Sequence, residues 1–496
     1  MNLPLFQPFA NEWITFGIFF IGILSMVATA ELLLYKKNVH PEFVRKFVHV
    51  LVGILVSTCP FIFESNLPPM ALAGIFIVVN FLSLKSGKLK GMHSTDRVTY
   101  GTVYFPIAFL ILATFFWEKP ITLILSMLVM SLSDTATGIS GSKADHPRIF
   151  TLWKDSKTLE GSTVMFLTTF LIVYVGTDFF AWIFGAAFFI PLPNLISLAG
   201  FVAMMATLAE AVSCEGSDNL SVPLVAAITY ELYLINYTHG TLPIFMLWTV
   251  GSGIIFLYAF KLRTLSASGT AGAFLMGVLV FGVQGVYGIV PLLTFFLLSS
   301  FLSKIGNKQE NTFQKGSQRD IIQVLANGGV GMLILLWNFF YPFEGAYLIF
   351  LGSIAAATAD TWATEIGFFS RSNPRKISTF KQVEKGTSGG VTLIGTFGSF
   401  LGAGVIAGVG LLLGVDPELF WIITAAGFIG SIADSILGGT VQARFYCKSC
   451  EKETEKRRHC SGVTQHVNGF KWMDNDMVNF LNTITGAVVT YFSVLI

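Results

Sequence analysis

Acidic residues beside small polar ones, set within apolar runs, occur twice in this chain. Asp134-Thr135-Ala136-Thr137-Gly138-Ile139-Ser140-Gly141 is followed by Glu160-Gly161-Ser162. Asp360-Thr361-Trp362-Ala363-Thr364-Glu365-Ile366-Gly367 is followed by Lys385-Gly386-Thr387. The Asp-to-Gly separation is 27 in one copy and 26 in the other, and a further acid, Glu210 or Asp434, follows about 48 positions on. A carboxylate within a membrane-spanning run is costly, so one that recurs in register marks a functional site. Hard carboxylate oxygens near Gly-rich turns suit Mg²⁺, which takes one or two carboxylates together with substrate phosphates. Asp134, Glu210, Asp218, Asp360, Asp434 and Asp476 are the expected Mg²⁺ ligands. Gly161-Ser162 and Gly386-Thr387 are the expected phosphate turns, because a helix start offers free amides and a positive dipole end. Lys143, Lys154 and Lys157 add charge for a triphosphate. Asp134 and Glu160 in one copy, Asp360 and Lys385 in the other, are the expected catalytic groups, a carboxylate serving to take a proton from an attacking alcohol. Metal, phosphate cradle and base are the parts of phosphoryl transfer, which is catalysed mainly by positioning and charge stabilisation. No Walker A pattern is present. Arg45, Lys46 and His49 lie at one-turn spacing and form either a basic patch for phosphate or an interfacial anchor.

The elements that must position these groups are membrane helices. Of the 496 residues 53% are hydrophobic and 12% charged, against roughly 25% charged in soluble domains. Continuous apolar runs near the ~20 residues of a bilayer span recur from end to end, and their continuity excludes an alternating strand barrel. The first run is too long, and lacks the basic start, for a cleavable signal peptide. Sixteen spans can be drawn, near 13–35, 47–63, 67–84, 101–117, 120–140, 161–180, 190–213, 219–236, 241–260, 269–283, 287–302, 320–341, 345–365, 388–413, 418–438 and 475–496. Alternate connections then hold every Lys and Arg of the 31 except Lys119. The positive-inside rule places those connections, and the acidic clusters beside them, in the cytoplasm, with both termini outside and the plasma (inner) membrane as the expected location. The expected fold is all-α and polytopic, about 14–16 transmembrane helices in two tandem bundles, residues 1–240 and 241–496, each with one copy of the polar pattern.

The copies differ in one place. Glu210 and Asp218 are 8 positions apart, whereas 42 separate Asp434 from Asp476. The insertion carries Cys447-x-x-Cys450, His459-Cys460 and His466, and Cys447, Cys450, His459 and Cys460 suit tetrahedral zinc, a plain basic loop being the alternative. Cys59 and Cys214 are isolated and read as core residues. Beside a membrane, the basic stretch from Lys452 to Arg458 points to anionic lipid, and no nucleic-acid partner is expected.

Residues 1–240 resemble the dolichol kinase/phytol kinase family through Arg45-Lys46-x-x-His49-x-x-x-Gly53, SLSDTATGISGSK at 131–143, KTLEGS at 157–162, and Glu210 with Gly216 to Pro223. Residues 243–496 look like the phytyl-phosphate kinase family, which includes transmembrane protein 19-like members, through LSASGTAGA at 265–273, ATADTWATEIG at 357–367, EKGTSGGVT at 384–392, ADSILGGTVQ at 433–442 and NDMVNFLNT at 475–483. The first resemblance implies phosphate transfer from CTP or a related nucleotide to an isoprenoid alcohol of phytol, geranylgeraniol or polyprenol type. The second implies a further transfer, to the monophosphate. The expected partners are therefore isoprenoid substrate, nucleoside triphosphate with Mg²⁺, and membrane lipid. A single-activity isoprenoid kinase, a cytidylyltransferase-like enzyme and a secondary transporter with two internal repeats are the competing readings.

Overall fold

The computed structural model describes residues 4–35, 41–86, 99–184, 190–306 and 318–495. The basic connections 36–46, 85–97 and 303–319 fall partly outside these residues. The chain is an integral, mainly helical membrane protein, and its described part holds 15 helices long and apolar enough to span a bilayer. A sixteenth expected span, Gly101–Phe115, is shorter. The chain divides into two compact units, Met1–Leu242 and Pro243–Ile496.

The first unit contains α1 (Glu12–Tyr35), α2 (Pro41–Ser57), α3 (Cys59–Ile62), α4 (Leu67–Ser86), α5 (Gly101–Phe115), α6 (Pro120–Leu128), α7 (Asp134–Lys143), α8 (Leu159–Phe184), α9 (Leu192–Ala211) and α10 (Asp218–Thr238). Between α6 and α7 the chain keeps turning as a π-helix over Val129–Ser133. The connection from α7 to α8 is a short hairpin, β1 (Ile149–Thr151) against β2 (Ser156–Thr158). The core gathers where α6 and the π segment meet α8 and α10, with α9 packed on both of those helices: Leu123, Met127, Met130, Met165 and Leu198 are all fully buried. α2 begins six residues ahead of the expected start at 47, so Arg45 and Lys46 stand on helix rather than in loop.

The second unit contains α11 (Leu242–Lys261), α12 (Ala267–Gln284), α13 (Val286–Gly306), α14 (Ile321–Phe340), α15 (Ala346–Gly367), α16 (Leu393–Leu412), α17 (Leu419–Thr440) and α18 (Asn475–Leu495). Here α15 is the central post. It packs on α13, α14, α16, α17 and α18, and from Ile349 to Ala359 every side chain is buried. Its run of Ser and Ala is what allows so many neighbours, since small residues let membrane helices approach closely where no hydrophobic effect drives them together. The connection after α15 carries the two-residue strands β3 (Arg375–Lys376) and β4 (Gly390–Val391). The 441–472 loop is a small folded body: β5 (Arg444–Cys447) lies between β6 (Lys452–Thr454) and β9 (Gln465–Asn468), and β7 (Arg458–His459) pairs with β8 (Gly462–Val463).

Not all glycines serve close packing. A Cβ on Gly427 would lie 2.8 Å from the Cβ atoms of Ala355 and Ala403, and one on Gly402 would lie 3.0 Å from the Thr358 carbonyl oxygen. A Cβ on Gly408 would meet nothing within 4 Å. Gly427→Ala should therefore destabilise the second unit by about 1–3 kcal/mol through overpacking. Gly408→Ala should be neutral or stabilising by up to about 1 kcal/mol, the helix-propensity gain. Thermal unfolding of the purified variants in detergent checks this; equal midpoints for the two would contradict the packing.

Candidate active site

In the first unit, helix ends from distant parts of the chain bring their polar groups to one place. The π segment precedes Asp134 directly, and such segments occur frequently at functional sites because they re-aim carbonyls and side chains. His49 on α2 reaches it: Nε2 lies 3.3 Å from the Met130 carbonyl oxygen and 4.0 Å from Asp134 Oδ2. A carbonyl only accepts, so in that bond the Nε2 carries the hydrogen. One turn further along α2, Gly53 lies against Ser131, where a Cβ would overlap the serine side chain. One turn in the other direction, the Lys46 ammonium sits over Gly138 and pairs with Glu42 at 2.8 Å. The Arg45-Lys46-x-x-His49-x-x-x-Gly53 pattern is thus the face that fits α2 onto the π segment and α7.

Lys157, on β2, carries the counter-charge. Its Nζ lies 2.6 Å from Glu210 Oε1 at the end of α9 and 3.5 Å from Asp218 Oδ2 at the start of α10. Burial would lower the lysine pKa, but Asp218 and Glu210 outweigh that and hold it above the usual lysine value. Asp134 feels the charges of Asp218, Lys157, Glu210 and Arg45. The second oxygen of Glu210, Oε2, is buried without a hydrogen-bond partner, as is Arg45 Nε. Carboxylates of this type, with an oxygen left open, fit a hard divalent cation such as Mg²⁺.

The expected phosphate turn is built differently. The Gly161 N–H already donates to Thr158 Oγ1 at 3.1 Å, so the amide is not open to a phosphate. Gly161 is buried, and a Cβ there would lie 2.9 Å from Thr158 Oγ1 and 3.3 Å from Thr137 Cγ2. Its part is to let α8 approach α7. The Glu160 carboxylate accepts the Arg148 N–H at 3.1 and 3.3 Å and closes the hairpin. Ser162 Oγ is buried without a partner.

An apolar groove opens at this cluster. Arg45, His49, Asn80 and Asn219 line one end, while Val56, Leu72 and Phe109 line the other. Its walls come from one face each of α1, α2, α4 and α5, and Phe105 packs its ring edge-on to His49 with centroids 5.1 Å apart. From Arg45 to Val56 the α2 face runs about 16 Å. Phe76, Phe105 and Phe109 could not be picked out in the sequence, because Phe occurs 48 times along the chain.

In the second unit Asp360 on α15 and Asp434 on α17 face each other in hydrogen-bonding contact. Two carboxyls so placed repel unless a proton or cation lies between them, and Asp434 Oδ2 is buried without a hydrogen bond. Here too the donor set fits Mg²⁺. Asp476 is buried in the first turn of α18. Gly386-Thr387 lies in the loop ahead of β4, not at a helix start; α16 is capped by Thr392, whose Oγ1 accepts the Gly395 N–H at 3.1 Å. The loop turns at Gly386 and Gly389, with φ of +89° and +76°, and Gly389 packs directly on Gly439. Lys385 does not meet the carboxyls as a catalytic group would. Its Nζ donates to the Phe368 and Ser370 carbonyls at 3.3 and 2.6 Å, satisfying the chain just past α15. Glu365 accepts from Ser303 Oγ at 2.5 Å and feels Arg319.

Glu455, not anticipated from the sequence, enters from the 441–472 body. It accepts a hydrogen bond from Ser388 Oγ in the Gly386–Gly390 loop, stands beside Gln442 and acts electrostatically on Asp434. Burial pushes its carboxyl up to about 7. In the same body the ligand atoms of Cys447, Cys450, His459 and Cys460 lie within 4.8 Å of one another. His466 is not part of that group; its Nε2 is 3.0 Å from the Gly469 carbonyl oxygen.

The family described as integral membrane protein DUF92 matches residues 250–487. An uncharacterized membrane protein of Methanocaldococcus jannaschii is 32% identical over 230 residues, which are 46% of this chain and 85% of its own length. Protein PGR of Arabidopsis thaliana is 30% identical over 270 residues, 48% of this chain and 92% of its own. A protein named phytol kinase from Synechocystis is 29% identical over 232 residues, 46% of this chain and 93% of its own. No solved structure matches the chain.

The charge cluster of the first unit gives a direct test. Lys157→Met leaves Glu210 and Asp218 without their cation and should cost about 3 kcal/mol, as breaking a buried pair does. Lys157→Met with Glu210→Gln should recover at least half of that. The unfolding midpoints of the two variants decide it; a single variant as stable as the parent would remove the pair from its structural role.

Proposed function

Because the chain belongs to the DUF92 family of integral membrane proteins, and a phytol kinase is among its relatives, we propose that it is a membrane phosphotransferase acting on isoprenoid alcohols. The observation that carries this reading is the first unit's groove: an apolar slot with Arg45 and His49 at one end, where Asp134 lies 4.0 Å from His49. The tail lies among Val56, Leu72 and Phe109, and the hydroxyl emerges beside His49 and Asp134.

The transfer is written as attack of the alcohol oxygen on the terminal phosphorus of a nucleoside triphosphate, with CTP as the proposed donor. The O–P bond forms, the bond to the bridging oxygen breaks, and a nucleoside diphosphate leaves. Asp134 takes the hydroxyl proton, a step for which a carboxylate at hydrogen-bond reach suffices. His49, fixed by the Met130 carbonyl, orients the hydroxyl, while Arg45 and Lys46 face the phosphates. Lys157 sets its ammonium against both Glu210 and Asp218. Mg²⁺, when bound by Glu210, Asp218 and Asp134, would supply charge neutralisation for the triphosphate.

In the second unit Asp360 and Asp434 are the proposed metal-binding pair, with the Gly386–Gly390 loop beside them, and the proposed substrate is the monophosphate made by the first. The product is then the diphosphate. The acids of each cluster lie in the parts of their helices that lead toward basic connections, which the positive-inside rule assigns to the cytoplasm, where nucleotide is available.

The test incubates purified protein with Mg²⁺, CTP and isoprenoid alcohols or their monophosphates, and resolves products by mass spectrometry. Asp134→Asn should slow alcohol conversion by about 10²–10⁴-fold, the usual range for loss of a catalytic acid–base group, and spare monophosphate conversion. Asp360→Asn should do the reverse. If both variants keep both activities, the assignment of the sites is wrong. Substrate flux into proteoliposomes without nucleotide turnover would replace an enzyme with a transporter.

A further inference from the structure

We infer that Cys447, Cys450, His459 and Cys460 form a structural zinc site, and that this site holds Glu455 against the Gly386–Gly390 loop of the second unit. The four ligand atoms all lie within 4.8 Å of one another, and no other such group of metal-binding side chains occurs among the described residues. His459 Nδ1 is 3.4 Å from Cys450 Sγ and 3.3 Å from Cys460 Sγ. Zinc bonds of about 2.1–2.3 Å set tetrahedral ligand atoms roughly 3.4–3.8 Å apart. The two sulfur-to-nitrogen separations lie at or just below the short end of that range, so small side-chain adjustments suffice to seat the ion. Three thiolates and one imidazole, closed and without an open coordination position, are the chemistry of a structural rather than a catalytic zinc.

The backbone points the same way. Cys447 ends β5 and Cys450 follows its turn, whereas His459 and Cys460 sit at the turn between β7 and β8. Cys460 and Ser461 hold φ of +47° and +61°. Two consecutive left-handed residues suit a tight hairpin turn, but such turns favour Gly or Asn, not Cys-Ser. Strained residues of this kind persist where their surroundings over-determine them, and a metal bond to Cys460 would do so.

The position of Glu455 gives the site a purpose. It lies in the short link from β6 to β7, between the second ligand, Cys450, and the third, His459. A metal joining those ligands pins the segment at both ends. Between them Glu455 accepts from Ser388 Oγ, and Thr464 Oγ1 braces the next residue by donating to the Lys456 carbonyl at 2.8 Å. The segment thereby becomes a strap across the Gly386–Gly390 loop, next to Asp434. The metal site stands apart from the proposed chemistry, since neither its geometry nor its test uses phosphoryl transfer.

The full-length protein, purified without chelator, should carry about one zinc per chain by atomic emission. Cys450→Ser and Cys460→Ala should lose it. Hydrogen exchange over residues 384–392 should rise in those variants, and in the parent stripped with a chelator, then return when zinc is restored. The stripping arm keeps the test decisive if a variant fails to fold. Absence of zinc, a different metal in its place, or unchanged zinc in Cys450→Ser overturns the metal site. Zinc loss with unchanged exchange at 384–392 overturns its hold on Glu455.

Discussion

Acidic side chains within membrane helices are costly unless a counter-charge reaches them, and in the first unit Lys157 does so. Its ammonium touches Glu210 and Asp218, which come from the end of α9 and the start of α10. Placing it there requires the β1–β2 hairpin, and the hairpin in turn requires Glu160 on the Arg148 N–H and the close approach of α8 to α7 at Gly161. The same constraint explains the π segment. It stands directly before Asp134, and His49 meets its Met130 carbonyl. The apolar groove then has a charged, fixed end. On that combination the proposed lipid-substrate site rests.

The second unit meets the same problem with other means. Lys385 stands where the repeat suggests a partner for the acids, yet its ammonium is engaged by two backbone carbonyls. Asp360 and Asp434 are left to face each other, and the nearest added acid, Glu455, makes the local charge more negative. Such a site needs a cation to be stable when ionised. The first unit sets its acids against a lysine, whereas the second leaves two carboxyls facing each other. The inserted 441–472 body adds the rigidity that an α-helical bundle does not supply there.

Much of the architecture was legible because hydrophobic length is a strong signal in membranes. Every expected span corresponds to a helix, and the largest boundary difference, at α2, arises because Glu42, Arg45 and Lys46 are polar yet helical. Asp134, Glu210, Asp218, Lys157, Arg45 and His49 could be found since charged residues are scarce in apolar sequence and each stands out. Roles were harder to read than membership. Gly161 resembled a phosphate turn, but whether its amide is free depends on Thr158, a contact that spacing does not reveal. The groove was invisible because its lining residues are ordinary apolar ones distributed over four helices. Glu455 was lost in a run of alternating charges, where only tertiary packing distinguishes the one that turns inward.

The central claim is that the groove of the first unit holds the prenyl tail with its hydroxyl at the charged end. A diazirine-bearing isoprenoid alcohol, photolysed with the purified protein and mapped by peptide mass spectrometry, tests it most directly. The account predicts labelling on the groove faces of α2, α4 and α5, around Val52, Phe76 and Phe105, suppressed by excess unlabelled alcohol. Labelling spread over lipid-facing residues such as Leu167, Leu171 and Leu247, unaffected by competitor, would contradict it.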